Sequence, residues 1–97
     1  MTNANQARIA TEARIHGLAK EFRINKVEPK IQAAIDEGHF FCNVSLINLD
    51  YDLPNPQKVG PELVKILEGE GFKTTFSYCD NGPRTEAYVN IDWTPED

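Results

Sequence analysis

The stretch "FKTTFSYCDNGPRTEAYVNIDW", residues 72–93, decides the fold because it holds two alternating segments around one turn. In each segment the side chains repeat with a period of two, which is typical of strands with one buried face. The side chains expected to face the core are Phe72, Thr74, Phe76 and Tyr78 in the first segment and Ala87, Val89, Ile91 and Trp93 in the second. The run Asp80-Asn81-Gly82-Pro83 between them has the composition of a turn. These residues therefore predict a hairpin of two long strands.

Upstream of this hairpin, the pattern predicts a helix and, before it, another strand. The segment "VGPELVKILEGEG", residues 59–71, predicts a helix with Gly60 as its cap and Pro61 at the first helical position. From His39 onward the period is two, so that Phe40, Cys42, Val44 and Leu46 are expected to face inward. Alternation places Cys42 on an inward face and Cys79 on an outward face, which predicts two free thiols.

The N-terminal third of the chain has helical spacing with one interruption. Ile15, Leu18 and Phe22 repeat as on one helix face, and Pro29 opens a second helix that ends at Gly38. A single kinked helix is the alternative interpretation. A line of small residues beside the apolar face permits close approach of another helix; its members are Ala7, Ala10, Ala13 and Gly17.

Together these segments predict an α+β fold in one domain, residues 1–97. An N-terminal helical pair, residues 1–37, precedes a β-α-β-β core, residues 39–93. A strand, a crossover helix and a second strand are expected to run parallel. The hairpin then completes a two-layer arrangement with a mixed three-stranded sheet.

Charge and composition exclude several classes of protein. The chain has 10 basic and 15 acidic side chains and a net charge of −5, so a uniformly basic surface for nucleic acid is absent. Residues 1–30 nevertheless carry six basic and three acidic side chains, so the excess of acid lies in the rest of the chain. No apolar run of signal-peptide or membrane-span length occurs, which predicts a cytoplasmic protein.

The candidate binding residues lie in three places. The segment "INLDYDLPNPQKVGPE", residues 47–62, contains Asp50, Tyr51 and Asp52 and is either a binding loop or a solvated spacer. It lacks the glycine and glutamate offsets of a calcium loop, and no metal or cofactor motif occurs elsewhere in the chain. The other candidates are the basic residues Arg23, Lys26 and Lys30 and the outward-facing Tyr88. No residue has the local setting of a catalytic nucleophile, so the sequence predicts no enzyme.

The motifs in three segments resemble a family of small phage-encoded proteins. The segments are "KIQAAIDEGHFFCNVSL" (30–46), "ELVKILEGEGFKTTF" (62–76) and "YVNIDW" (88–93), and the resemblance spans roughly residues 28–93. It implies a virion-associated or early accessory product. The expected function is therefore that of a non-enzymatic accessory protein that binds a host protein or a small ligand, as a homo-oligomer formed through the N-terminal helices. The alternatives are a virion structural protein and, less favoured, a nucleic-acid-binding protein.

Overall fold

The computed structural model describes residues 2–48, 51–81 and 84–95. It combines helices with a β-sheet, which confirms the predicted α+β fold class. The three α-helices are α1 (Ala4–Phe22), α2 (Glu28–Asp36) and α3 (Pro56–Gly69), and a π-helical segment (Arg23–Val27) joins α1 to α2. The strands are β1 (Phe41–Ser45), β2 (Ile47–Asn48), β3 (Tyr51–Asp52), β4 (Lys73–Asn81) and β5 (Arg84–Asp92).

The two N-terminal helices are one continuous helix, as in the alternative interpretation of the sequence. Asn3 and Gln6 form a reciprocal capping box at its start. Pro29 removes a backbone donor and would clash with a carbonyl in a regular α-helix, but the helix widens before it. The Glu28 N–H donates to the Arg23 carbonyl, five residues back, so the π-helical segment carries the chain past the proline. Gly38, with φ 79°, closes α2 in the predicted left-handed conformation.

The sheet differs from the prediction in the direction of its strand pairings. The order is β1-β5-β4, and both pairings with β5 are antiparallel. Strands β1 and β4 run in the same direction, but β5 lies between them, so the sheet is antiparallel rather than mixed. The reason is that β4 returns directly to β5 through the predicted hairpin, and β5 then takes the place beside β1.

The core lies between one face of the sheet and the helices. Helix α3 packs on β4 and β5, and α2 packs on β1, which gives the two predicted layers. Both layers supply the most deeply buried side chains, among them Val27, Leu46, Leu63, Leu67, Val89 and Ile91. Phe76 and Trp93 are half-buried and pack against this cluster. Phe40 precedes β1 at the end of the sheet and is 49% exposed, so its predicted inward position is wrong.

Helix α3 begins five residues earlier than predicted. Pro56 takes the first helical position, after Asn55 with φ 51°, and Pro61 therefore lies inside the helix. Gly60 is buried against the ring of Phe76, and the absence of a side chain there leaves room for both the ring and the proline. Proline suits the first helical position at either place, so the predicted helix start at Pro61 is wrong.

The N-terminal half of α1 extends beyond the core. Ala7, Ala10 and Ala13 are exposed, and Ile9 is 59% exposed. The small-residue line therefore does not pack on the chain's own sheet. Self-association through this part of the helix stays a prediction.

Candidate functional site

Three of the predicted binding residues line one groove. Lys26, Lys30 and Tyr88 border a cavity of about 750 Å³ beside strand β1. The sequence had placed the lysines on a helix face and Tyr88 on a strand, without a reason for them to meet. They meet because α2 packs on β1 and β1 pairs with β5.

The helical wall of the groove carries its positive charge. Lys26 lies in the π-helical segment and Lys30 lies four residues later in α2, and both are exposed. Residues four apart on a helix are neighbours on the same side, so both lysines can border one groove. Val27 between them is fully buried, which fixes the orientation of this helical stretch on the core.

The sheet wall presents polar groups from β1 and β5. Asn43 lies opposite Asn90, and Ser45 lies opposite Tyr88, all on the outward face of the sheet. The Ser45 hydroxyl donates to the Ile47 carbonyl at 2.6 Å, which holds the chain where β1 ends. This wall therefore offers two amides and an aromatic ring on adjacent strands, while the Ser45 hydroxyl already donates its proton to Ile47.

One acidic residue also borders the groove. Glu86 of β5 lines it and is exposed. It lies opposite Cys79 in the register of the hairpin. Among its described lining residues, the groove thus has two ammonium groups and one carboxylate, in a chain whose net charge is −5.

Arg23 has a different role from the two lysines. Its Nε donates to Glu70 Oε1 at 2.7 Å and its Nη1 donates to Glu28 Oε2 at 3.1 Å, and its side chain is only 15% exposed. Its guanidinium lies 5.9 Å from the ring centroid of Phe72. Burial alone would lower the pKa of Arg23, but hydrogen bonds and charge from Glu70 and Glu28 raise it above its ordinary value. Arg23 therefore ties the π-helical segment to the end of α3 and does not line the groove.

Part of the acidic segment before α3 forms two short paired strands. Strands β2 and β3 pair antiparallel, with Ile47 opposite Asp52 and Asn48 opposite Tyr51. Leu53 follows and is buried in the core, so the segment is anchored just before α3. Asp50 lies outside the described residues. The side chains of Tyr51 and Asp52 also lie outside what the structure describes.

The remaining reactive side chains among the described residues lie in separate places. His16 Nδ1 lies 2.7 Å from Glu62 Oε1 on the exposed side of α1 and α3. Cys42 is a free thiol under α2, and burial raises its pKa against the opposing charges of Lys30 and Arg23. In the part of the chain that the structure describes, no group of three or more His, Cys, Asp or Glu side chains is placed to hold a metal ion.

Sequence reasoning missed three residues of this site. Asn43, Ser45 and Asn90 were assigned correctly to outward faces, but none was named as a binding residue. Their common signal is a small polar side chain at successive outward positions of a strand. The signal becomes informative only when the register between β1 and β5 is known.

Comparisons with known proteins leave the groove to be interpreted from its own chemistry. Scans against protein-family models, curated proteins and solved structures each find no match to this chain. Among the described residues, no helix is both long and apolar enough to cross a membrane.

Proposed function

We propose that this chain is a non-enzymatic binding protein that holds an anionic partner in the groove beside β1. The observation that carries the proposal is the position of Lys26 and Lys30 opposite the polar wall of Asn43, Ser45 and Asn90. Ammonium groups bind carboxylates and phosphates, and side-chain amides such as those of Asn43 and Asn90 orient the bound group by donating hydrogen bonds. The groove is therefore suited to recognition of a negatively charged ligand.

The surrounding charge supports selectivity for a localised anion. A chain with net charge −5 repels polyanions as a whole, whereas two neighbouring lysines attract a small number of negative groups at short range. This balance favours a protein or small ligand over nucleic acid. In the setting that the phage-type motifs imply, the partner is a host protein and the chain is an accessory factor.

The test is an NMR titration of the isotope-labelled full chain with defined probes. The probes are an acidic peptide, ATP, a short single-stranded DNA and a basic peptide as the negative control. We expect at least one anionic probe to give saturable shifts confined to the amides of the groove. The basic peptide is expected to give none.

Paired lysine variants then test the site itself. Lys26→Gln with Lys30→Gln should weaken binding by about tenfold, because charge-assisted hydrogen bonds are lost. The matched control, Lys20→Gln with Lys58→Gln, removes two exposed lysines outside the groove and should leave the affinity within about twofold. The proposal is wrong if no anionic probe shifts the groove amides, or if both pairs of variants weaken binding equally.

A further inference from the structure

Strand β1 has an unused hydrogen-bonding edge beside the groove. The Leu46 N–H donates to the Ala87 carbonyl at 2.8 Å, and the Trp93 N–H donates to the Phe40 carbonyl at 2.9 Å. In an antiparallel ladder, residues whose backbone N–H and C=O groups point to the partner strand alternate with residues whose groups point away from it. The backbone N–H and C=O groups of the even-numbered residues 40–46 therefore point to β5. The backbone groups of Phe41 and Asn43 point to the open side.

The described part of the chain does not pair with this open side. Strand β1 is at the edge of the sheet order β1-β5-β4. None of the described residues hydrogen-bonds to the backbone of Phe41 or Asn43 on that side. An edge with free N–H and C=O groups is a template for an added strand.

The two lysines lie on the same side as this edge. Lys26, Lys30 and Asn43 all line the groove, so a chain laid along β1 would pass the ammonium groups. Residues four apart on a helix are separated by about 6 Å along its axis. Alternate side chains of an extended strand are separated by about 6.7 Å. An extended segment with acidic residues at every second position therefore matches the lysine spacing.

We propose that the partner presents an extended acidic segment that adds to the sheet at the β1 edge. Main-chain amides of the segment pair with Phe41 and Asn43, and its alternate carboxylates face Lys26 and Lys30. A nucleotide or phosphate could satisfy the lysines but would leave the β1 backbone groups unpaired. This inference rests on the proposed function, because it names the class of partner that the same groove takes.

The probe for the experiment is a blocked heptapeptide of alternating valine and glutamate. Two N-methylated isomers of this peptide are compared. One isomer carries an N-methyl group on every valine, and the other isomer carries one on every glutamate. An added strand directs only alternate N–H groups at its neighbour, so one isomer should lose binding by about tenfold or more and the other should keep it. This readout uses the unaltered protein, so it does not depend on how a variant folds.

Amide hydrogen exchange locates the added strand. Binding should slow exchange at Phe41 and Asn43. The other edge of the sheet, at β4, serves as the internal control, because the same alternation directs the backbone of Thr74, Phe76 and Tyr78 to its open side. Protection at β4 in place of β1 would overturn the proposal.

A backbone variant gives an independent check on the chain's own side. Asn43→Pro removes one outward-directed N–H, and proline is tolerated on the open side of an edge strand. It should reduce peptide affinity by more than Asn43→Ala does, because the alanine variant keeps the N–H and loses only the side-chain amide.

The outcomes separate this inference from the proposed function. Equal binding of both N-methyl isomers, with loss only in the Lys26/Lys30 variant, would refute strand addition and leave anion binding in place. If neither this peptide nor any other anionic probe bound in the groove, both proposals would be refuted.

Discussion

The contact between Gly60 and Phe76 predicts that replacing this helical glycine by alanine destabilises the protein, whereas the same change usually stabilises a helix. In a helix interior, alanine is more stable than glycine by about 0.5–1 kcal/mol. Gly60 is inside α3, but a Cβ placed on it would come within 2.5 Å of ring atoms of Phe76, far inside normal contact. The ring would have to move within a packed layer, at a cost of about 1–3 kcal/mol. A Cβ before Pro61 adds further steric cost.

We therefore expect Gly60→Ala to lower the free energy of unfolding by about 1–2 kcal/mol, since the steric terms exceed the gain in helix propensity. The measurement is urea denaturation followed by far-UV circular dichroism and Trp93 fluorescence. The matched control is Gly17→Ala, because Gly17 lies inside α1 and a Cβ there meets nothing within 4 Å. That variant should gain stability by up to about 1 kcal/mol.

A double-mutant cycle identifies the ring as the cause. Phe76→Leu removes the ring atoms near Gly60, so Gly60→Ala should cost less in that background, with a coupling of about 1 kcal/mol. The part of the destabilisation that is caused by the Cβ before Pro61 should remain. If Gly60→Ala were as stable as the parent, or gained stability like Gly17→Ala, the packing of α3 on β4 described above would be incorrect.

Four further predictions concern three single side chains. Thr74 is 9% exposed and, among the described residues, its Oγ1 has no hydrogen-bond partner, so Thr74→Val should stabilise the fold by about 1 kcal/mol in urea denaturation; a loss of stability would mean that the hydroxyl is satisfied. Arg23→Met should cost about 1–2 kcal/mol, because it removes hydrogen bonds to two carboxylates, and an unchanged midpoint would contradict its role between the π-helical segment and α3. Burial raises the pKa of Cys42, so its thiol should react with iodoacetamide at pH 8 more slowly than exposed Cys79, with the difference lost in urea. The same raised pKa predicts that stability falls as the pH rises above the unfolded-state value of about 8.5, where only the unfolded chain releases this proton.

Local patterns in the sequence predicted those parts of the fold that depend on neighbouring residues. The alternation in residues 72–93 gave the hairpin and its buried face, and Gly38 marked the end of α2 because the left-handed conformation suits glycine. The strand order could not be predicted in the same way, since it depends on β5 lying between two strands that are far apart in the chain. The π-helical segment was read as a break because Pro29 normally ends a helix, and the wider turn that accommodates it has no simple sequence signal.

The candidate site shows the same division between local and long-range information. Surface exposure of Lys26, Lys30 and Tyr88 follows from helix and strand periodicity, and the sequence singled them out separately. Their common groove follows only from the packing of α2 on β1. Arg23 was grouped with the two lysines by sequence proximity, but the widened helical turn and the carboxylate of Glu70 place it in a different set of contacts.

Salt dependence can separate the two kinds of interaction that the groove offers. Lys26 and Lys30 are exposed, so their attraction for carboxylates is screened over about 8 Å at physiological ionic strength. Backbone pairing along β1 involves no net charge and should change little with salt. Peptide affinity should therefore fall between 50 mM and 500 mM NaCl and then level off, as the charge contribution is screened and the strand contribution remains.

The lysine variant makes this argument quantitative. In Lys26→Gln with Lys30→Gln, the affinity should begin near the high-salt value of the parent and stay nearly constant with salt, while one N-methyl isomer still fails to bind. A parent affinity independent of salt would show that the lysines do not contact the peptide. A variant that loses all binding at every salt concentration would show that the β1 edge contributes too little to hold a partner without them.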